Sequence, residues 1–199
     1  MDRLVTSRRL LVRAGVLGGI AGAAALIAVR RGPAEALAGT PVPTRPAPPL
    51  DLVDDTGRPF DEASLRGQPA WVTFGYTSCP DVCPTLLATL AAARDQAAAP
   101  VRIVFVTLDP AQDDPTRLRD YLAAFADAQG HAPIGLTGTP AQTARAAAEW
   151  GISWRRAGAF LDHTAQVSFL DPEGRLRLRY GFAQASDPAA LARDARLVA

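Results

Sequence analysis

The sequence contains no lysine, only two cysteines, only two histidines and a single methionine, the initiator Met1. Each scarcity excludes something. All positive charge is arginine, and the 21 arginines are nearly matched by 20 acidic residues, so no broad basic surface is available. That argues against a nucleic-acid partner. The missing internal methionine removes the thioether from the list of soft metal ligands. Any metal site must therefore be assembled from Cys79, Cys83, His131, His163 and the carboxylates. What is present is ordinary for a folded protein: 199 residues, 48% of them hydrophobic, suit one main domain with a proper core.

The N-terminus reads as an export segment. Ser7-Arg8-Arg9-Leu10-Leu11-Val12-Arg13 precedes an uncharged stretch rich in Ala and Gly over residues 14–29. The arginine pair resembles a twin-arginine signal, and Ala36-Leu37-Ala38 supplies small residues for cleavage before Gly39. The rival reading is a retained membrane anchor. About 20 apolar residues normally span a bilayer and this stretch offers roughly 16. Arg30 and Arg31, on the side to be translocated, weaken the positive-inside pattern. Signal and anchor both stand. Either one places the remainder outside the cytoplasm, on the periplasmic side of the membrane. Five prolines between residues 41 and 49 read as a stiff, extended tether. The expected organisation is thus a signal or anchor over 1–38, a tether over 39–49 and a folded domain over 50–199.

Within that domain, residues 50–60 enclose the turn Asp54-Asp55-Thr56-Gly57 and predict a small N-terminal hairpin. The β-branched and aromatic runs at 71–76 and 101–108 flank an Ala- and Leu-rich helical stretch from Pro84 to about residue 93, a βαβ unit with parallel strands. A helix over 115–126 and a short strand at 134–136 follow. Thr139-Pro140 then opens a helix that ends at Gly151. Strands at 166–170 and 176–180 flank the turn Asp171-Pro172-Glu173-Gly174, and Ser186-Asp187-Pro188 opens a last helix. The order describes an α/β fold with a central mixed sheet flanked by helices, the thioredoxin-like arrangement.

Cys79-Pro80-Asp81-Val82-Cys83 falls where the first strand of the βαβ unit gives way to its helix. Residues four apart around a helix start share one face, so both sulfurs can converge. The helix N-terminus favours thiolate over thiol, which raises nucleophilicity and metal affinity together. A plain structural disulfide is the bland alternative, but a bridge closing so small a loop removes little unfolded-state entropy. A reversible, working disulfide remains open. Two thiolates and a neutral imidazole make a soft site suited to Cu(I), and a weak added oxygen ligand would suit Cu(II). Structural zinc would want a fourth strong ligand. With no internal methionine, neither a blue-copper site with an axial thioether nor a methionine-rich shuttle can be built. The spacing of His163 does not by itself mark it as a ligand.

Phe74-Gly75-Tyr76-Thr77-Ser78-Cys79-Pro80-Asp81-Val82-Cys83-Pro84 resembles the signature of the Sco/SenC family. The resemblance extends to Thr107-Leu108-Asp109-Pro110 with Asp113-Asp114-Pro115, and to Gly135-Leu136-Thr137-Gly138-Thr139. It continues through Asp162-His163-Thr164 and Phe169-Leu170-Asp171-Pro172-Glu173-Gly174. It implies a thioredoxin fold and a metallochaperone delivering copper to the dinuclear copper centre of cytochrome c oxidase. Carried over by position, it makes Cys79 and Cys83 the thiolate ligands, His163 the imidazole ligand and Asp109 a nearby acidic residue that tunes the site. Asp109 reads equally well as a strand-end residue capping the turn at Pro110. His131, in the loop Gln129-Gly130-His131-Ala132-Pro133, reads as a solvated histidine. Implied partners are the copper-bearing oxidase subunit, a copper donor and a thiol reductant, with the membrane added if the N-terminal segment is kept.

One departure stands out. Family members often carry a longer acidic insertion before the histidine, whereas Trp154-Arg155-Arg156-Ala157-Gly158-Ala159 is brief and basic. A second function fits the same residues: a thiol–disulfide oxidoreductase that reduces the oxidase cysteines through Cys79 and Cys83, with His163 as an acid–base aid.

Overall fold

The computed structural model describes residues 36–158 and 160–199, so all but the last three residues of the segment read as signal or anchor, 1–38, lie outside the described residues. Along the chain come β1 (Thr40–Pro46), β2 (Val53–Asp54), β3 (Ala70–Gly75), α1 (Val82–Gln96), β4 (Arg102–Thr107), α2 (Pro115–Leu122) and β5 (Ile134–Thr137). Then follow α3 (Pro140–Trp150), β6 (Trp154–Ala157), β7 (Phe160–His163), β8 (Gln166–Leu170), β9 (Arg175–Gly181) and α4 (Pro188–Val198). Seven strands form one sheet in the order β1-β9-β8-β3-β4-β5-β2, while β6 and β7 pair with each other.

The centre of the sheet is β3, β4 and β5, all parallel, with Gly75 opposite Thr107 where β3 and β4 end. β8 runs antiparallel to β3, and β9 antiparallel to β8. The βαβ unit and the final hairpin therefore take the places their patterns predicted. Alternate residues of β3 face opposite ways. Gly75 faces α1, since a Cβ there would meet Cys83. Phe74 faces the other side, its ring centroid 5.9 Å from that of Trp150 in α3. Helices thus cover both faces, and α1 packs against α4. Trp71, Phe105, Phe169, Leu87 and Leu90 are fully buried between them, each contributing about 1.5–3 kcal/mol by leaving water.

Local chemistry sets the helix ends. Thr139 and Gln142 form a reciprocal capping box that spans Pro140, and Gly151 closes α3 in the left-handed conformation at φ 75°. Asp114 caps α2, and Asp187 caps α4 by accepting from the N–H groups of Ala189 and Ala190. The expected helix over 115–126 is α2 plus a tighter 3-10 turn at Ala123–Phe125. In the small N-terminal hairpin, Asp54 N–H donates to the Arg58 carbonyl at 2.8 Å and Gly57 turns at φ 81°. Its first arm, β2, adds to the sheet beside β5.

Two segments depart from the sequence reading. The stretch expected as a tether includes strand β1, paired antiparallel with β9 so that Thr40 faces Arg179 and Pro46 faces Arg175. Proline is tolerated there because β1 is an edge strand with an irregular register between Pro41 and Arg45. Its entry is fixed by the buried carboxylate of Asp194, which accepts from the backbone N–H of Ala38 and of Gly39, both at 2.9 Å, and from the Tyr180 hydroxyl. Gly39 packs so closely on Tyr180 that a Cβ would stand 2.6 Å from its ring. The second departure is the β6–β7 ribbon, which occupies the brief basic stretch before His163.

Candidate metal centre

Cys79 lies in the loop between β3 and α1, half-buried, and Cys83 is the second residue of α1 and buried; both are free thiols. Helix α1 has no side-chain cap at Asp81. Its exposed N–H groups turn instead toward Cys79, whose sulfur accepts from the Cys83 N–H at 3.5 Å. Sulfur here takes the place of a capping oxygen.

His163 closes β7 and brings its Nε2 to 3.7 Å from the Cys83 sulfur. Its Nδ1 lies 3.2 Å from the Thr164 carbonyl, an acceptor, so Nδ1 carries the proton and Nε2 presents its lone pair toward the sulfur. The imidazole also meets Tyr76 edge-on, centroids 6.1 Å apart. Nε2 and the Cys83 sulfur are thus near neighbours, while among the described residues no group of three or more His, Cys, Asp or Glu side chains is already arranged to hold a metal ion. The donor set, two sulfurs and one imidazole, is the soft kind that a d10 ion such as Cu(I) prefers.

The three groups have unequal acidities. Burial opposes ionisation of Cys79, but hydrogen bonds from the Asp81 and Cys83 backbone N–H groups and from the Cys83 and Tyr76 side chains outweigh it and hold its thiol below the usual range. Burial pushes the Cys83 thiol far up, with the Cys79 sulfur and the Asp113 carboxylate adding to the effect. Burial likewise lowers His163, against the Thr164 carbonyl and Asp162, so its imidazole is neutral at neutral pH. A neutral imidazole and one ready thiolate are the forms that bind a metal.

The remaining candidates fall in different places. Asp109 is buried just past the end of β4, its N–H donating to the Thr107 hydroxyl at 2.9 Å and its carboxylate accepting from Arg156 of β6 at 3.0 Å. His131 precedes β5, at the end of the parallel strands opposite the cysteines, and pairs with Asp127 at 3.1 Å. It is exposed, as its loop sequence predicted.

Sequence reasoning missed the groups that hold the cysteine loop. Asp113, wholly buried, accepts from the Thr77 N–H at 3.0 Å, the Thr77 hydroxyl at 2.5 Å and the Thr107 hydroxyl at 2.6 Å. Tyr76 accepts from the Leu161 N–H at 3.3 Å, tying the β6–β7 ribbon to the same loop. Asp113 belonged to a quoted motif, but nothing in its spacing showed that it faces Thr77.

The family model described as SCO1/SenC matches residues 40–198. A Stutzerimonas stutzeri protein named for copper binding is 34% identical over 142 residues, covering 67% of this chain and 68% of its own. The mitochondrial protein SCO2 of Saccharomyces cerevisiae is 31% identical over 138 residues, 64% of this chain and 44% of its own, so the chain spans less than half of that relative. Among solved structures, Arabidopsis thaliana ScoI, determined with copper bound, superposes with a TM-score of 0.65 at 27% identity, covering 80% of this chain and 98% of that one.

Proposed function

The chain belongs to the SCO1/SenC family, and on that footing we propose that it is a metallochaperone that holds copper between Cys79, Cys83 and His163 and passes it to the dinuclear copper centre of cytochrome c oxidase. The observation that carries the reading is the 3.7 Å approach of His163 Nε2 to the Cys83 sulfur beside the Cys79 sulfur. The Arabidopsis relative solved with copper bound supports the choice of metal.

The acidities suggest an order of events. Cys79, more exposed and more readily ionised, is the first sulfur to meet an incoming ion and the first to exchange with an acceptor's ligand. Cys83 gives up its proton only when the metal replaces it, because its buried thiolate is otherwise unfavourable. His163 needs no deprotonation and completes the set as the neutral ligand. Copper would supply the bond energy; the chain supplies one buried and two half-buried donors. We place this domain on the periplasmic side of the cytoplasmic membrane, held by or released from its N-terminal segment. Among the described residues no helix is long and apolar enough to cross a membrane.

Copper titration of the reduced full-length protein tests the assignment. One copper per chain is expected, with binding lost in Cys83→Ser and weakened in His163→Ala. Tight binding that survives both substitutions would refute the site, and normal oxidase in a deletion strain at limiting copper would refute the delivery role.

A second reading, thiol–disulfide exchange, is favoured by one observation: the contrast between an accessible, acidified Cys79 and a buried, protonated Cys83. In that reaction the Cys79 thiolate attacks a substrate disulfide and releases one substrate thiolate. Cys83, as its proton leaves, then displaces the other, giving a Cys79–Cys83 disulfide and a reduced substrate. His163→Ala separates the two readings, since dithiol exchange should survive it and copper handling should not.

A further inference from the structure

Among the described residues, His163 reaches the cysteines on a ribbon that pairs with no strand of the main sheet. Its position is therefore set by the contacts that tie the ribbon to the body of the protein. Arg156 stands opposite Leu161 in that ribbon, and the two residues tie the same rung to the body of the protein. Arg156 donates to the buried Asp109 carboxylate at 3.0 Å, and the Leu161 N–H donates to the Tyr76 hydroxyl at 3.3 Å. His163 is two residues beyond Leu161 on the same face of β7, about 7 Å along the strand. Whatever fixes this rung fixes the imidazole.

Asp109 begins one turn of chain that ends at Asp113, closed by hydrogen bonds from the Gln112 and Asp113 N–H groups to the Asp109 carbonyl at 3.0 and 2.9 Å. The two carboxylates of that turn point to the two halves of the site. Asp113 holds the cysteine loop through Thr77, and Asp109 holds the histidine ribbon through Arg156. We propose that the Asp109–Asp113 turn organises the three-donor site, with Asp109 acting as a positioning residue for His163 through Arg156. A carboxylate neutralised by an adjacent guanidinium projects little net field toward the sulfurs, which leaves positioning as its effect. The Asp109 side chain is 7% exposed and that of Arg156 54%, so loss of the arginine strands a buried charge.

The copper part of this proposal rests on the three-donor reading; the clasp itself does not. Hydrogen exchange on the reduced, copper-free full-length protein tests the clasp. Asp109→Asn and Arg156→Gln should each raise exchange across residues 154–163 about tenfold, and the double variant should do no more than either alone. Arg156→Lys, which keeps the charge but not the fork, should restore part of the protection. Unchanged exchange, or effects that add, would overturn the clasp. Thermal melting of each variant checks that the domain still folds, and Asp109→Asn, which keeps the side chain's shape and leaves no buried charge, is the change that folding tolerates best. In the copper arm, both single variants should weaken Cu(II) binding about tenfold and alter its thiolate-to-copper absorption. Affinity shifts of opposite sign would instead mean that Asp109 acts by its charge and would overturn positioning. His163→Ala, run beside them, isolates the premise: if it leaves copper binding unchanged, the three-donor reading fails while the exchange result still decides the clasp.

Discussion

Gly75 and Cys83 share one space: a Cβ on Gly75 would stand 2.7 Å from the Cys83 sulfur and 2.9 Å from the Phe105 ring. The last residue of β3 lacks a side chain so that the first turn of α1 can seat its sulfur against the sheet. Gly75→Ala should therefore overpack the site, lowering stability by about 1–3 kcal/mol. Because the sulfur is the atom displaced, copper affinity should fall as well. Denaturant unfolding and copper titration measure the two effects, and an unchanged affinity would mean that Phe105 alone yields.

The unequal thiols predict ordered alkylation. In the reduced, metal-free protein iodoacetamide should label Cys79 first, with a rate profile shifted toward lower pH than that of an ordinary cysteine. Cys83 should remain unlabelled at neutral pH, since burial keeps it protonated and covered. Peptide mapping after brief labelling at stepped pH reads both, and equal labelling would contradict the asymmetry.

Asp194 should act as the latch of the N-terminal strand. Its buried carboxylate serves the Ala38 and Gly39 N–H groups and the Tyr180 hydroxyl, so Asp194→Ala leaves several buried donors without a partner. A loss of about 3 kcal/mol is expected, together with faster amide exchange in β1 and easier proteolysis near Gly39. Stable protection of β1 in the variant would show that pairing with β9 suffices.

Acid should weaken the turn after β8. Burial opposes the ionisation of Asp171, yet hydrogen bonds from the Arg175 N–H and from the Arg177 and Arg175 side chains prevail and hold its carboxyl below the usual range. A folded pKa below the unfolded value binds fewer protons in the native state. The stabilisation is thus complete above the unfolded value, about 3.9, and fades as pH falls through the lower folded value. Asp171→Asn should cost about 2 kcal/mol at pH 7 and flatten the acid limb of the stability curve. A parallel acid limb in the variant would assign acid sensitivity elsewhere.

Local signals carried much of this protein. The capping box at Thr139 and Gln142, the turn at residues 171–174 and the alternation of β-branched runs with an Ala-rich helix are short-range chemistry, legible without a fold. The cysteine pair is legible for the same reason, since a helix start four residues long dictates that its sulfurs converge. The expected extended stretch over the prolines was extended, but its partner β9 lies at the far end of the chain, so its place in the sheet could not be seen locally. The ribbon that carries His163 escaped notice because two four-residue strands pair only with each other and show no long pattern.

Sequence alone therefore determined the fold class, the thiol pair and the short list of possible metal donors, because composition and local spacing are complete in one dimension. Tertiary structure decided that His163 and not His131 faces Cys83, that Asp109 grips Arg156, and that Asp113 holds Thr77. Those are contacts between residues dozens of positions apart, and only packing of the sheet and its connecting loops brings them within bonding distance.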